Sequence, residues 1–200
     1  MQTNDRSILR LSASLLAATV ALSLLAITAA CSTAPESRTD RALLTSDTND
    51  FLARARTTDP TLDRFFNSCA GYAVMPEIGK GGFILGGAYG KGQLFDRKGR
   101  LIGYCDVSQG SVGAQIGGQT FGEIVFFETD DALTRFKSDR FTLTAQASAV
   151  ALAAGAGAAT NYADGVAVFI MNPKGLMLEA TVGGQQFSYQ ALADASTSGD

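Results

Sequence analysis

The sequence predicts an α+β fold in which N-terminal helices and one internal helix pack on a mostly antiparallel, glycine-rich, strongly curved sheet or partial barrel. From Tyr72 onward, short segments rich in β-branched and aromatic residues alternate with turn signals, as antiparallel strands do. Residues 81–95, GGFILGGAYGKGQLF, contain six glycines, and glycine inside strands marks bulges, bends and close contacts. Stretches with helical spacing precede the first strand and interrupt the later ones.

Two short helices are predicted before the sheet. Residues 50–57 form the first, with Asp47 or Asp50 as its N-terminal cap and Pro60 beyond its end. Residues 60–71, PTLDRFFNSCAG, predict the second. Its apolar residues share one face and are Leu62, Phe65 and Phe66.

The internal helix is predicted within ETDDALTRFKSDRF, where Thr129 is a suitable N-cap. Its apolar stripe consists of Ala132, Leu133 and Phe136. Two turns, at residues 96–99 and 172–175, place Asp or Asn first and Gly last, which is typical of type I turns. Residues 149–165 are mostly very small, and they predict a strand that ends in a tightly packed glycine turn.

The first thirty residues have the pattern of a secretory signal peptide, with Arg6 and Arg10 before a long uncharged apolar run. The run ends in ITAAC, which resembles a bacterial lipobox. This resemblance implies cleavage before Cys31 and acylation of that cysteine. Ser32 stands where an inner-membrane retention signal has Asp, which by that family rule points to the outer membrane, facing the periplasm. An uncleaved membrane helix stays open as the alternative, since about 20 apolar residues can span a bilayer.

The mature chain divides into three parts by composition. Residues 31–40 are the acylated cysteine and a polar tether, residues 41–190 form one domain, and residues 191–200 are a polar tail. Removing residues 1–30 takes away two of the 16 basic and one of the 19 acidic residues, which leaves 14 against 18, a balance of −4. This balance argues against nucleic acid as a partner.

Two cysteines, Cys69 and Cys105, remain besides Cys31. In an oxidising compartment they are candidates for a disulfide, and closing their loop would stabilise the fold by roughly 4 kcal/mol. Two separate buried thiols are the alternative.

Composition argues against catalysis, a metal or a cofactor. The chain has no histidine, which removes the commonest general base and metal ligand. The sequence Gly90-Lys91-Gly92 lacks the Ser or Thr of a phosphate-binding loop, and a strand pattern follows it instead of a helix. The carboxylates near the strands are expected to be solvated rather than catalytic. They are Glu77, Asp106, Glu123, Glu128 and Glu179.

Several segments together resemble the SYLF domain, in its bacterial lipoprotein branch. They are CAGYAVMPEIGKGGFILGGAYGKGQLF, GSVGAQIGGQTFGEIVFF, the ALTRF helix and FIMNPKGLMLEATVGG, and they cover roughly residues 40–190 in the family's order. The resemblance implies helices packed on a mostly antiparallel sheet. Eukaryotic relatives bind phosphoinositides and, in the yeast branch, actin filaments. A lipid-anchored bacterial chain lies away from actin, so only lipid binding is carried over.

The function expected from these observations is non-enzymatic binding of anionic phospholipid head groups by a membrane-anchored lipoprotein. The candidate binding residues are basic and fall close together in the sequence: Lys80, Lys91, Arg97, Lys98 and Arg100. Clustered lysines and arginines attract anionic head groups, although surface charges are often only solvated. The alternative function is a structural or interaction protein that docks an envelope partner through a sheet edge or an apolar surface.

Overall fold

A computed structural model of the protein describes residues 33–82, 85–112, 119–138, 141–143, 149–171 and 184–192. The chain enters its compact unit at Thr33. Helix α1 spans Arg38–Thr58, and the Ser37 hydroxyl caps it by accepting a hydrogen bond from the Asp40 backbone N–H at 3.0 Å. The predicted start at Asp47 or Asp50 is therefore wrong. Both aspartates lie on the exposed side of a helix that has already begun, and their spacing resembled a cap by coincidence.

The second predicted helix is confirmed. A 3-10 turn, Pro60–Leu62, leads directly into α2, Asp63–Ser68. Leu62, Phe65 and Phe66 are buried together with Phe51 of α1 in one apolar cluster. The shared burial fixes the two helices on the same side of the sheet.

Within the described part of the chain, eight strands form one sheet in the order β5-β8-β3-β2-β1-β4-β7-β6. The strands are β1 Gly71–Gly82, β2 Leu85–Asp96, β3 Leu101–Val112, β4 Gln119–Phe127, β5 Phe141–Thr142, β6 Ala149–Ala151, β7 Val166–Met171 and β8 Gln186–Ala191. Only β6 and β7 pair in parallel among the described strands. The predicted mostly antiparallel sheet is confirmed.

A β-bulge and a tight turn shape the central strands. A bulge in β1 shifts its register with β2 between Val74 and Glu77 and its register with β4 between Met75 and Ile78. A bulge of this kind bends a strand and increases its twist. The predicted turn at residues 96–99 is confirmed, since the Gly99 N–H donates to the Asp96 carbonyl at 2.9 Å. The second predicted turn, at residues 172–175, lies outside the described residues.

The sheet separates two apolar clusters. Helices α1 and α2 cover one face. Helix α3, Asp130–Lys137, packs on the other face through the predicted stripe Ala132, Leu133 and Phe136, and Thr129 is its N-cap as predicted. On this second face Gln185, just before β8, bonds to Glu123 on β4, so the face is concave. The predicted α+β fold with a strongly curved sheet is confirmed.

The small-residue segment is a strand followed by a tight glycine turn, as predicted. After β6 the chain turns at Gly155, which has φ +82°, into the four-residue helix α4, Ala156–Ala159. The buried Asp59 carboxylate accepts the Gly155 N–H at 3.1 Å and the Gly157 N–H at 2.6 Å. These bonds attach the segment to the end of α1.

Candidate functional site

Four basic residues surround one end of the sheet, where β1 begins and β2 ends. They are Arg56, Arg97, Lys98 and Arg100, and together they are called the basic end. A chain of contacts joins Arg56 to the turn: its guanidinium lies 3.9 Å from the Phe66 ring centre, and Phe66 packs edge-on against Tyr72 at 5.0 Å. The Tyr72 hydroxyl in turn reaches Gly99 within the turn.

The turn that carries three of these residues is held by Asp96. Its carboxylate accepts the Lys98 N–H at 2.8 Å, the Arg100 N–H at 2.9 Å and the Arg100 side-chain Nε–H at 2.7 Å. Burial alone would raise the pKa of Asp96, but these hydrogen bonds and the Arg100 charge lower it below its usual value. The turn therefore presents its cationic side chains from an ordered backbone.

The cationic groups of the basic end are accessible to solvent. The side chains of Arg56, Arg97 and Arg100 are 49%, 59% and 72% exposed. Each also has one acidic neighbour. Arg97 pairs with Asp130 at 3.1 Å and Arg56 with Asp63 at 3.6 Å, but pairs this exposed contribute little energy. The guanidinium groups of Arg56 and Arg97 are available to an external anion at small cost, whereas that of Arg100 is 72% exposed but also holds Asp96 at 2.7 Å.

The structure separates the other two predicted lipid-binding residues from this end. Lys80 pairs in register with Ala88, eight residues before Asp96 on β2, which is roughly 27 Å along a strand. Lys91 lies on β2 between Ala88 and Asp96, and it donates a hydrogen bond to the Ala34 carbonyl at 3.3 Å. Arg56 was missed because it is distant in sequence. Its position in the last turn of α1, just before α2 and β1, was the available signal.

A cleft of about 470 Å³ lies between α1 and the bulge of β1. Carboxylates dominate its lining, which consists of Asp47, Asp50, Ala53, Arg54, Pro76 and Glu77. The negative charge makes this side of α1 unsuitable for an anionic ligand. The basic end and this cleft thus differ in the ligands that they favour.

The candidate disulfide between Cys69 and Cys105 is not formed, and both residues are buried free thiols. Cys69 belongs to the cluster under α1 and α2, whereas Cys105 belongs to the concave cluster. The sheet lies between them. Burial raises the pKa of Cys69 to about 11 and that of Cys105 still further, so both remain neutral thiols.

Two of the carboxylates expected to be solvated are buried. Asp106 is 8% exposed and Glu123 is fully buried. Glu77 and Glu128 are exposed as expected, and Glu179 lies outside the described residues. The signal for Glu123 was its surroundings, because FGEIVFF is apolar on both alternating sets of positions and a strand of that kind is covered on both faces.

Glu123 is the most perturbed carboxylate of the concave face. Burial raises its pKa to about 7, although the hydrogen bond that Gln185 donates to it at 3.0 Å acts to lower the value. A group that titrates near neutrality is often functional.

Residues 108–197 match the family model for Ysc84, described as the Las17-binding protein actin regulator. The predicted SYLF resemblance is confirmed. The SYLF family comprises binding domains, related to lipid or actin. Glu123 and Gln185 lie inside the matched segment, whereas the four residues of the basic end precede it.

A bacterial relative extends the likeness to the SYLF family. Beta cell expansion factor A from Aeromonas veronii is 26% identical over 136 residues, which is 68% of this chain and 52% of the relative. The chain thus spans about half the length of this curated relative. Cys31 and the predicted signal peptide lie outside the described residues, and no described helix is long and apolar enough to cross a membrane.

Proposed function

We propose that this protein is a membrane-anchored envelope lipoprotein whose SYLF domain binds anionic phospholipid head groups and catalyses no reaction. The anchor is the acylated Cys31, and the protein faces the periplasm, at the outer membrane. The basic end is the binding surface. It replaces the five-residue patch suggested by sequence proximity, because Lys80 and Lys91 lie elsewhere on the sheet.

The observation that carries the proposal is the exposure of Arg56, Arg97, Lys98 and Arg100 around one ordered turn. A basic residue close to an anionic membrane surface contributes about 1 kcal/mol. Four such residues contribute a few kcal/mol, which suits weak and reversible contact. Arginine is also well matched to phosphate, because its planar guanidinium donates two parallel hydrogen bonds.

The anchor makes such weak contact effective. Ala34 is packed on the domain, since its N–H donates to the Gln190 side chain at 3.0 Å and its carbonyl accepts from Lys91. Only Ser32 and Thr33 separate it from Cys31. So short a link keeps the domain at the bilayer, where the effective concentration of lipid is high.

The second candidate function is the docking of an envelope protein. It is favoured by the exposed position of Tyr89 on β2, since this residue is 44% accessible to solvent. Gly79 is its register partner, and a side chain added there would meet no atom within 4 Å. Chemical crosslinking in membranes followed by affinity capture separates the two functions. A stoichiometric protein partner favours docking, and a yield of lipid alone favours the lipid proposal.

The decisive experiment is co-sedimentation of residues 32–200 with vesicles at low salt, using phosphatidylglycerol-containing and neutral vesicles in parallel. We expect binding to the anionic vesicles that falls as salt screens the charges. Replacing Arg97, Lys98 and Arg100 together by Gln should weaken it on the order of 30-fold or more, because three attractive charges are lost.

Lys80→Gln is the matched control, since Lys80 on β1 is in register with Ala88, which lies roughly 27 Å from the turn along β2. The Lys80→Gln variant should lower the affinity for anionic vesicles less than the substitution of any one residue of the basic end. Arg56→Gln should weaken binding although Arg56 is remote in sequence from the turn. Failure to bind anionic vesicles at low salt would refute the lipid proposal, and equal effects of Lys80→Gln and Arg97→Gln would remove the basic end as its site.

A further inference from the structure

Glu123 lies in the middle of the concave apolar cluster. Phe121, Val125 and Phe127 of β4 belong to this cluster, and strand alternation places Glu123 on the same face. Its register partners are Met75 on β1 and Ile170 on β7. A lone ionised carboxylate in such surroundings is costly.

The only described hydrogen bond to this carboxyl group is donated by the Gln185 side-chain Nε2–H to Glu123 Oε2 at 3.0 Å. Two buried oxygens nearby have no partner in the described part of the chain: Glu123 Oε1 and Gln185 Oε1. Both are acceptors when the carboxyl group is ionised, so neither can satisfy the other. A proton on Glu123 supplies the missing donor.

We propose that Glu123 is a neutral carboxylic acid in the folded protein and forms a reciprocal pair with Gln185, in which the Glu123 Oε1–H donates to Gln185 Oε1. The pair is a pH-sensitive latch between β4 and the start of β8. Loss of the proton leaves two acceptors facing each other in an apolar interior, and this releases the Gln185 end of β8.

The position of the latch explains why it controls β8. In the sheet, β8 is separated from β4 by β3, β2 and β1, so the bond crosses the concave face instead of following the backbone ladder. The Gln185 carbonyl also accepts the Leu143 N–H at 3.0 Å, and Phe187 of β8 packs on Phe136 and Phe141. Opening the latch therefore weakens the β5 and α3 contacts of the same edge.

Few charged groups face Glu123. From β3 it meets Cys105, a thiol that burial keeps neutral well above physiological pH. Its partners on β1 and β7 are apolar, and Gln185 is uncharged. The charges of α3 point to solvent, since Asp130, Asp131, Arg135 and Lys137 are exposed. No described cation is placed to stabilise the ionised form.

The direction of the pH effect follows from linkage. Burial raises the pKa of Glu123 from 4.5 to about 7 on folding, so the folded state holds a proton that the unfolded state has lost between these values. The contribution of Glu123 to the free energy of unfolding is therefore complete below about pH 4.5 and is lost as the pH rises through 7. The unfolding equilibrium constant should rise on the order of 100-fold across this window.

The test is urea unfolding of the full chain, solubilised in mild detergent, at several pH values across this window. We expect the wild-type protein to lose stability as the pH rises. Glu123→Gln stays neutral and can still donate to Gln185, so it should show a much flatter profile. Glu77→Gln, an exposed site on the adjacent strand β1, should keep the wild-type profile. Parallel profiles for wild type and Glu123→Gln would overturn the proposal.

Two measurements on the wild-type protein keep the test decisive even if Glu123→Gln does not fold. Infrared spectroscopy slightly below neutral pH should detect the carbonyl band of a protonated carboxylic acid, which disappears at alkaline pH. Absence of this band would overturn the neutral state. Amide hydrogen exchange of residues 185–192, corrected for its intrinsic pH dependence, should increase above neutrality more than that of β1. Equal increases in both segments would overturn the latch.

Discussion

Glu123 on β4 and Gln185 at the start of β8 are joined by a hydrogen bond of 3.0 Å across the concave face of the sheet. Four strand spacings separate β4 from β8, which would be about 19 Å in a flat sheet. The contact therefore requires the strong curl of this sheet. It also brings the only described buried pair of an acid and an amide side chain into the core.

Asp59→Asn should destabilise the fold by about 2 kcal/mol, because one carboxylate oxygen that accepts a backbone N–H becomes an NH₂ donor. Asp59 accepts four hydrogen bonds, from Gly155, Gly157 and, twice, Thr61. Thermal or urea unfolding measures the change. Asp63→Asn is the control, since Asp63 is 57% exposed and its loss should cost less than about 0.5 kcal/mol. Equal losses of stability in Asp59→Asn and Asp63→Asn would contradict this role of Asp59.

The same variant should show a characteristic pH dependence. Burial alone would raise the pKa of Asp59, but its hydrogen bonds with Thr61, Gly157 and Gly155 hold it below the usual 3.8. A lowered folded-state pKa contributes stability above 3.8 that is lost as the pH falls below it. The stability gap between wild type and Asp59→Asn should therefore narrow in acid. A gap that stays constant below pH 3.8 would show that the charge is not involved.

Gly122→Ala should destabilise the protein by about 1–3 kcal/mol, as overpacking typically does. A Cβ at this position would collide with the Phe51 ring and lie 2.7 Å from the Pro76 carbonyl oxygen. Gly110→Ala on β3 is the matched control, since a Cβ there meets nothing within 4 Å. Calorimetry compares the two variants. A neutral Gly122→Ala would mean that α1 does not pack this closely on β4.

Asp130→Asn should strengthen binding to anionic vesicles by up to about fivefold, because it removes a negative charge and frees Arg97. The Arg97–Asp130 pair is exposed, so stability should change by less than about 0.5 kcal/mol. Co-sedimentation measures the affinity. Asp131→Asn removes a charge from the same helical turn but makes no described bond to Arg97, and its gain should be smaller. Weaker binding by Asp130→Asn would argue against the basic end as the lipid contact.

Cys31→Ser should leave the precursor unprocessed and the protein without lipid, if the anchor is as proposed. Acyl chains contribute about 0.8 kcal/mol for each buried methylene, so several chains give an anchor that surface charges cannot replace. Membrane fractionation and intact mass of the wild-type and variant proteins test this. A wild-type mass that matches unmodified residues 31–200, or the full chain, would refute lipidation.

The sequence alone predicted the elements whose signals are local. Thr129 could be recognised as an N-cap, and Asp96 and Gly99 as the ends of a type I turn, because each depends on residues within one turn of chain. The short β-branched and aromatic segments from Tyr72 onward and the glycines of β1 to β3 predicted a curved antiparallel sheet for the same reason. The resemblance to the SYLF family also came from linear motifs, and the family-model match to residues 108–197 confirmed it.

Only the tertiary structure decided which distant residues meet. It assigned Cys69 and Cys105 to opposite faces, replaced Lys80 by Arg56 in the basic end, and buried Glu123 against Gln185. None of these outcomes follows from spacing along the chain. They depend on the curl of the sheet and on which face each helix covers, and both result from the summed burial of apolar surface over the whole domain.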